Sequence, residues 1–167
     1  MNPPIPMMEP MWLTSARNRI GTREIPGPKT NALILKWWGL IRAPFKDDET
    51  PWCAGFVGGT LEECGVQSTR SASALSYLTW GQPLHGPIPG AIAVKRRKGG
   101  GHVTFVAGAD GRGNLWCVGG NQGDAVSMAL YPQNVFETFR WPFNVKLINS
   151  PLAVTASSGG AGTTKEA

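Results

Sequence analysis

The chain has 167 residues, of which 41% are hydrophobic and 16% charged, a length that suits one domain. That apolar share excludes a wholly disordered chain, and no apolar run comes near the ~20 residues that span a bilayer. A net charge of +5 favours a polyanionic partner, with the signal concentrated at Lys95-Arg96-Arg97-Lys98. Residues 1–9 read as a loose arm, and they lack the basic stretch and apolar run of a secretory signal. A first helix is predicted from Pro10 to Ile20, with Trp12, Ala16 and Ile20 on one stripe. A second runs from a Thr30 cap to about Ile41 and carries Leu33, Ile34, Trp37 and Trp38. Thr50 as cap and Pro51 at the first helical position open a third helix, which Gly65 closes. Gly58 and Gly59 weaken that helix, so only tight packing justifies them. Ser71 to Trp80 reads as a fourth helix.

From Gly90 the period changes. Ala91–Val94, His102–Ala107, Asn114–Val118 and Ala125–Tyr131 read as strands, with a hairpin turn at Asp110-Gly111-Arg112-Gly113. Arg140-Trp141-Pro142 reads as a last edge strand. Residues 151–167 form a Gly/Ser/Thr-rich flexible tail, which leaves 10–150 as the folded domain. Helices first and an antiparallel sheet second make an α+β arrangement.

Three cysteines are too few for a disulfide scaffold, and at least one stays unpaired within the chain. Cys53 falls in the first turn of the third helix, where unpaired N–H groups and the helix dipole stabilise a thiolate and an oxyanion. An unpaired cysteine is also often just a small buried hydrophobe. His102 follows three glycines and starts an apolar strand, so it can reach a helix N-terminus as a general base. His85 sits in a Pro/Gly loop and reads as surface. Asn121, in Gly119-Gly120-Asn121-Gln122-Gly123, can accept the second imidazole N–H, although the same stretch also reads as turn chemistry. Gln122 is a candidate oxyanion donor, and Asp124 and Glu137 are weaker rivals for the orienting role. Trp52, Trp80 and Trp141 can line a sugar or peptide groove or pack a core, and Lys95–Lys98 can hold an anionic glycan or form a solvated hairpin tip.

Cys, then His, then Asn, with the cysteine on a helix and the others on a sheet, is the order of papain-like cysteine hydrolases. Thr50-Pro51-Trp52-Cys53-Ala54-Gly55-Phe56-Val57, Gly101-His102-Val103-Thr104-Phe105-Val106 and Gly119-Gly120-Asn121-Gln122 together resemble a CHAP-type member of the NlpC-like, papain-fold peptidoglycan hydrolases, and phage endolysins in particular. Glu24-Ile25-Pro26-Gly27, Asp48-Glu49-Thr50 and Arg140-Trp141-Pro142 also fit, and the resemblance covers about residues 10–142. It implies a papain-like α+β fold and a catalytic set of Cys53, His102 and Asn121 that cleaves an amide bond in the bacterial wall. It also implies that no cofactor is needed. The expected partner is peptidoglycan, engaged by a monomer with no nucleic acid and no stable membrane insertion. The expected setting is the host bacterial cytoplasm, with holin-dependent release to the wall, or a virion. Some relatives bind calcium before the cysteine, but at Asp47, Asp48 and Glu49 the spacing is unconvincing and no metal is assigned. The alternative is a catalytically silent wall-binding or virion structural module on the same fold.

Overall fold

The structure, a computed structural model, describes residues 8–156, so most of the expected arm and residues 157–167 of the expected tail lie outside the described residues. Three helices precede a six-stranded antiparallel sheet, an α+β architecture. Helix α1 is Met11–Arg17, shorter than the pattern suggested: Pro10 lies just before it, and Ile20 falls in a turn, 45% exposed. Its buried Trp12 donates from Nε1 to Gly90 O at 2.8 Å and meets Trp141 edge to face, pinning the first helix to the start of the sheet. Helix α2 is Ala32–Leu40, capped by Asn31 rather than Thr30, because the Asn31 side chain accepts from Leu33 N. Helix α3 is Cys53–Glu63, with Trp52 at the cap position. Thr50 and Pro51 therefore stand outside the helix they were expected to open, and Cys53 moves to its first residue.

Helices α2 and α3 pack through Trp37, which stacks on Trp52 at 6.0 Å and meets Phe56 edge to face at 5.0 Å. The close approach explains Gly59, where a Cβ would collide with the Trp37 ring. The expected fourth helix is a shorter 3₁₀ segment, Ala74–Thr79.

The strands are β1 (Gln82–Pro83), β2 (Ile92–Arg97), β3 (Gly100–Ala109), β4 (Asn114–Gly119), β5 (Ser127–Pro132) and β6 (Phe136–Trp141), in spatial order β1-β6-β2-β3-β4-β5. The predicted last edge strand is thus β6, longer than expected and interior, between β1 and β2. Strands β5 and β6 are four strand spacings apart, roughly 19 Å in a flat sheet. Only Gln133–Val135 connect them, and four residue steps reach ~14 Å. The sheet must therefore curl, and the Tyr131 and Phe136 rings from the two strands meet at 5.7 Å.

Curling divides the core in two. Ile92, Val94, Val103, Phe105 and Val118 pack against the helices, while Ala93, Val106, Leu115, Cys117, Ala129 and Tyr131 fill the other face. Residues just beyond Pro151 are docked rather than loose. Ala109 N donates to Ala153 O, Thr155 N donates to Ala109 O, and Trp116 Nε1 donates to Thr155 O. No described helix is long and apolar enough to cross a membrane.

Candidate active site

The approach to Cys53 is held at several points. Asp47 Oδ1 accepts from the backbone N–H groups of Glu49 and Thr50 and fixes the turn before α3. The Thr50 N–H is the main cause holding the Asp47 carboxyl below its ordinary value. Asp48 Oδ2 accepts from Ile25 N and Asn31 N. Trp52 is fully buried and donates from Nε1 to Glu24 Oε1 at 2.8 Å. These carboxylates serve the backbone and a ring, and among the described residues no group of three or more His, Cys, Asp or Glu is arranged to hold a metal ion.

Cys53 itself is 5% exposed. Burial is the largest influence on its thiol and opposes ionisation. A hydrogen bond with His102, the charge of that ring, the Val103 backbone N–H and the charge of Arg97 together outweigh burial, so its pKa lies below the ordinary thiol value. Cys64, partly buried, is pushed up by desolvation and by Glu63. Cys117 is buried without such partners, and desolvation pushes it far above the ordinary range.

His102 projects from β3 and is 1% exposed. Its ring is held by Gln122, whose Oε1 lies 3.0 Å from Nε2. The Gln122 amide has one workable orientation. Its Nε2 donates to Ser127 O at 2.8 Å and Cys117 O at 3.3 Å, so Oε1 must be the atom facing the ring. An acceptor at that point requires a proton on His102 Nε2. The neutral ring then carries its lone pair on Nδ1, the nitrogen left for the Cys53 thiol. Thr104 Oγ1 lies 3.0 Å from the same Gln122 oxygen, and a Cβ at Gly119 would collide with both groups. The backbone of Gln122 is clamped as well: N donates to Ala125 O, and O accepts from Ser127 Oγ. The Tyr131 hydroxyl approaches His102 Nε2 at 3.4 Å from β5.

Asn121 was expected to hold the ring, but the structure puts its neighbour Gln122 there. Asn121 has φ 59, the left-handed conformation that asparagine tolerates well, and its buried Oδ1 has no hydrogen-bond partner. The chain reverses at that residue and sends the next side chain back to the sheet. Among the rivals, Glu137 is exposed and paired with Arg96, and Asp124 is exposed. His85 is exposed, as expected of a loop residue. Trp52 and Trp141 are core residues, 0% exposed. Trp80 lines a cleft of about 610 Å³ with Gln67, Phe143 and Asn144. That cleft begins at Gly65, past the far end of α3 and roughly 16 Å along the helix from Cys53.

The structure thus unites Cys53 and His102 with Gln122, Thr104 and Tyr131. Gln122 was weighed only as an oxyanion donor, while Thr104 and Tyr131 carried no sequence signal for this site. Comparisons of the chain with protein-family models, with curated proteins and with solved structures returned no match.

Proposed function

We propose that the protein is a cysteine hydrolase of papain-like fold that cleaves an amide bond in bacterial peptidoglycan. One observation carries the chemistry. A thiol at the first residue of α3 is hydrogen-bonded to an imidazole whose other nitrogen is held by a fixed amide oxygen. Nucleophile, base and orienting group in that relation are what acyl transfer needs. The wall as substrate rests on the motifs around Cys53, His102 and Gly119-Gly120-Asn121-Gln122, which resemble those of CHAP-type hydrolases.

In this reading His102 Nδ1 takes the thiol proton as Sγ attacks the scissile carbonyl. The N–H groups at the start of α3 stabilise the oxyanion. His102 returns the proton to the leaving amine, and a thioester on Cys53 remains. Water then attacks with His102 as base, which releases a carboxylate and restores the thiol. Gln122 keeps Nε2 protonated through both half-reactions, and the phage-lysin setting follows from the same motifs.

The test is digestion of purified peptidoglycan, with mass spectrometry of the released fragments. New amino termini that appear with wild-type protein and vanish with Cys53→Ala support the reading. Retention of the protein on the wall without any cleavage would replace it with the silent binding module.

A further inference from the structure

The basic run Lys95-Arg96-Arg97-Lys98 is not a uniform hairpin tip. Its first three residues lie in β2, and strand alternation sends them to opposite faces. Register pairs Lys95 with His102 and Arg97 with Gly100, so Lys95 and Arg97 share the face of His102. Arg96 points the other way, is exposed, and pairs with Glu137 at 3.5 Å.

The two residues on the His102 face differ in their commitments. Lys95 Nζ sits over the Tyr131 ring, 5.7 Å from its centroid. Arg97 is half-buried and donates from Nε to Gly101 O at 3.1 Å, a bond that orients the guanidinium, and among the described residues no hydrogen bond or ion pair engages its terminal fork nitrogens. Gly100, opposite Arg97, has open space above it: a Cβ there would meet nothing within 4 Å. An oriented guanidinium therefore borders an opening one same-face step, ~7 Å, from the base.

We propose that Arg97 binds a substrate carboxylate beside the scissile amide, so that this site takes acidic peptides. The inference rests on the cysteine-hydrolase reading and names the substrate class of that same site. A guanidinium fork matches a carboxylate in two parallel hydrogen bonds, a fit that an ammonium reproduces poorly. The charge of Arg97 also favours the Cys53 thiolate. One cation thus serves nucleophile and substrate, and the experiment must separate the two roles.

The experiment compares native peptidoglycan with the same wall after its free carboxylates are converted to primary amides by carbodiimide and ammonia. Release of new amino groups gives kcat and KM. Wild-type protein should lose about 10- to 100-fold in kcat/KM on the amidated wall, the scale of a charge-assisted pair. Arg97→Gln should lose a similar factor on native wall, mainly through KM, with little further loss on amidated wall. Arg97→Lys should fall between them, and Arg96→Gln should match wild type. A gap between Arg97→Gln and wild type that is as wide on amidated wall as on native wall, with a shifted pH–rate profile, would overturn the proposal and leave Arg97 as a partner of the thiol alone. Cys53-dependent cleavage that ignores amidation in the wild-type protein would overturn it with no variant needed. No cleavage of either wall by wild-type protein would remove the hydrolase reading itself.

Discussion

Cys53 and Cys117 are both buried thiols, yet the protein treats them in opposite ways. Cys117 faces Leu115, Val106 and Ala129 inside the curled sheet, and desolvation alone decides its state. Cys53 sits at a helix start against an imidazole, a backbone N–H and a guanidinium, and these reverse the sign. Burial therefore does not make a thiol reactive. The groups that share the buried space do, and a dry setting strengthens their effect.

The strongest test of that contrast is a pair of alanine variants. Cys53→Ala should lower wall cleavage at least about 1,000-fold with the fold intact, as removal of a covalent nucleophile does. Cys117→Ala should keep the rate and lose about 1 kcal/mol of stability through a small cavity. Lysis rates and thermal melts check both, and comparable rates in the two variants would erase the contrast.

His102→Ala should match Cys53→Ala, and the double variant should be scarcely worse, since in the proposed mechanism the two groups act as one unit. Losses that multiply would mean that positions 53 and 102 share no proton-transfer step.

The third test sets Gln122 against Asn121. Gln122→Ala should slow cleavage on the order of 10–1,000-fold and also lower the melting temperature, because His102 Nε2–H and two backbone carbonyls lose their partner. Asn121→Gly keeps the left-handed turn, and its rate should stay within about threefold of wild type. A collapse at Asn121→Gly with a near-normal Gln122→Ala would return the orienting role to Asn121.

The pKa directions predict an order of alkylation. The Cys53 thiolate persists below the ordinary thiol range, so labelling by iodoacetamide should continue as pH falls there. Cys64 should label only at higher pH, and Cys117 should resist until unfolding. Labelling followed by peptide mapping reads this directly, and in His102→Ala the Cys53 profile should move up.

The smallest effect concerns Glu24. Its carboxyl is raised above the ordinary value by burial first and then by Asp124, Asp48 and Glu49, against the lowering hydrogen bond from Trp52. An acid with a raised folded pKa is stabilising when protonated, and that contribution is lost as pH rises through the folded pKa. Ionised Glu24 is therefore a cost at neutral pH. Glu24→Gln, which still offers an oxygen to Trp52 Nε1, should raise the melting temperature slightly at pH 7, with the gain shrinking on acidification.

Much of the site was legible in the chain. The position of Cys53 after a Thr-Pro-Trp stretch marked a helix start, and the apolar run after His102 marked a strand, although β3 begins two residues earlier, at Gly100. The side chain that meets the His102 ring is Gln122, one position beyond the residue the pattern suggested. Strand alternation cannot be carried through a left-handed residue, and nothing in Gly-Gly-Asn-Gln-Gly says which residue takes that conformation. Tyr131 was hidden for a different reason. It reaches His102 only because a three-residue link forces the sheet to curl, a global constraint without a local pattern. The interior place of β6 and the docking of residues 153–155 on β3 are long-range pairings of the same kind. Composition alone marked those last residues as loose. The tight α2–α3 contact was readable, since paired glycines in a helix make sense only under a large neighbour.

The separation of Cys53 from His102 along the chain makes reactivity a property of the completed fold. A chain emerging N-terminus first presents the Cys53 helix before the strand, the Gln122 loop and the β5–β6 link exist. Until those parts close around it, Cys53 has no imidazole, no Val103 N–H and no guanidinium, and it behaves as an ordinary thiol. The acidity of one sulfur thereby becomes a reporter of whether the two halves of the molecule have met.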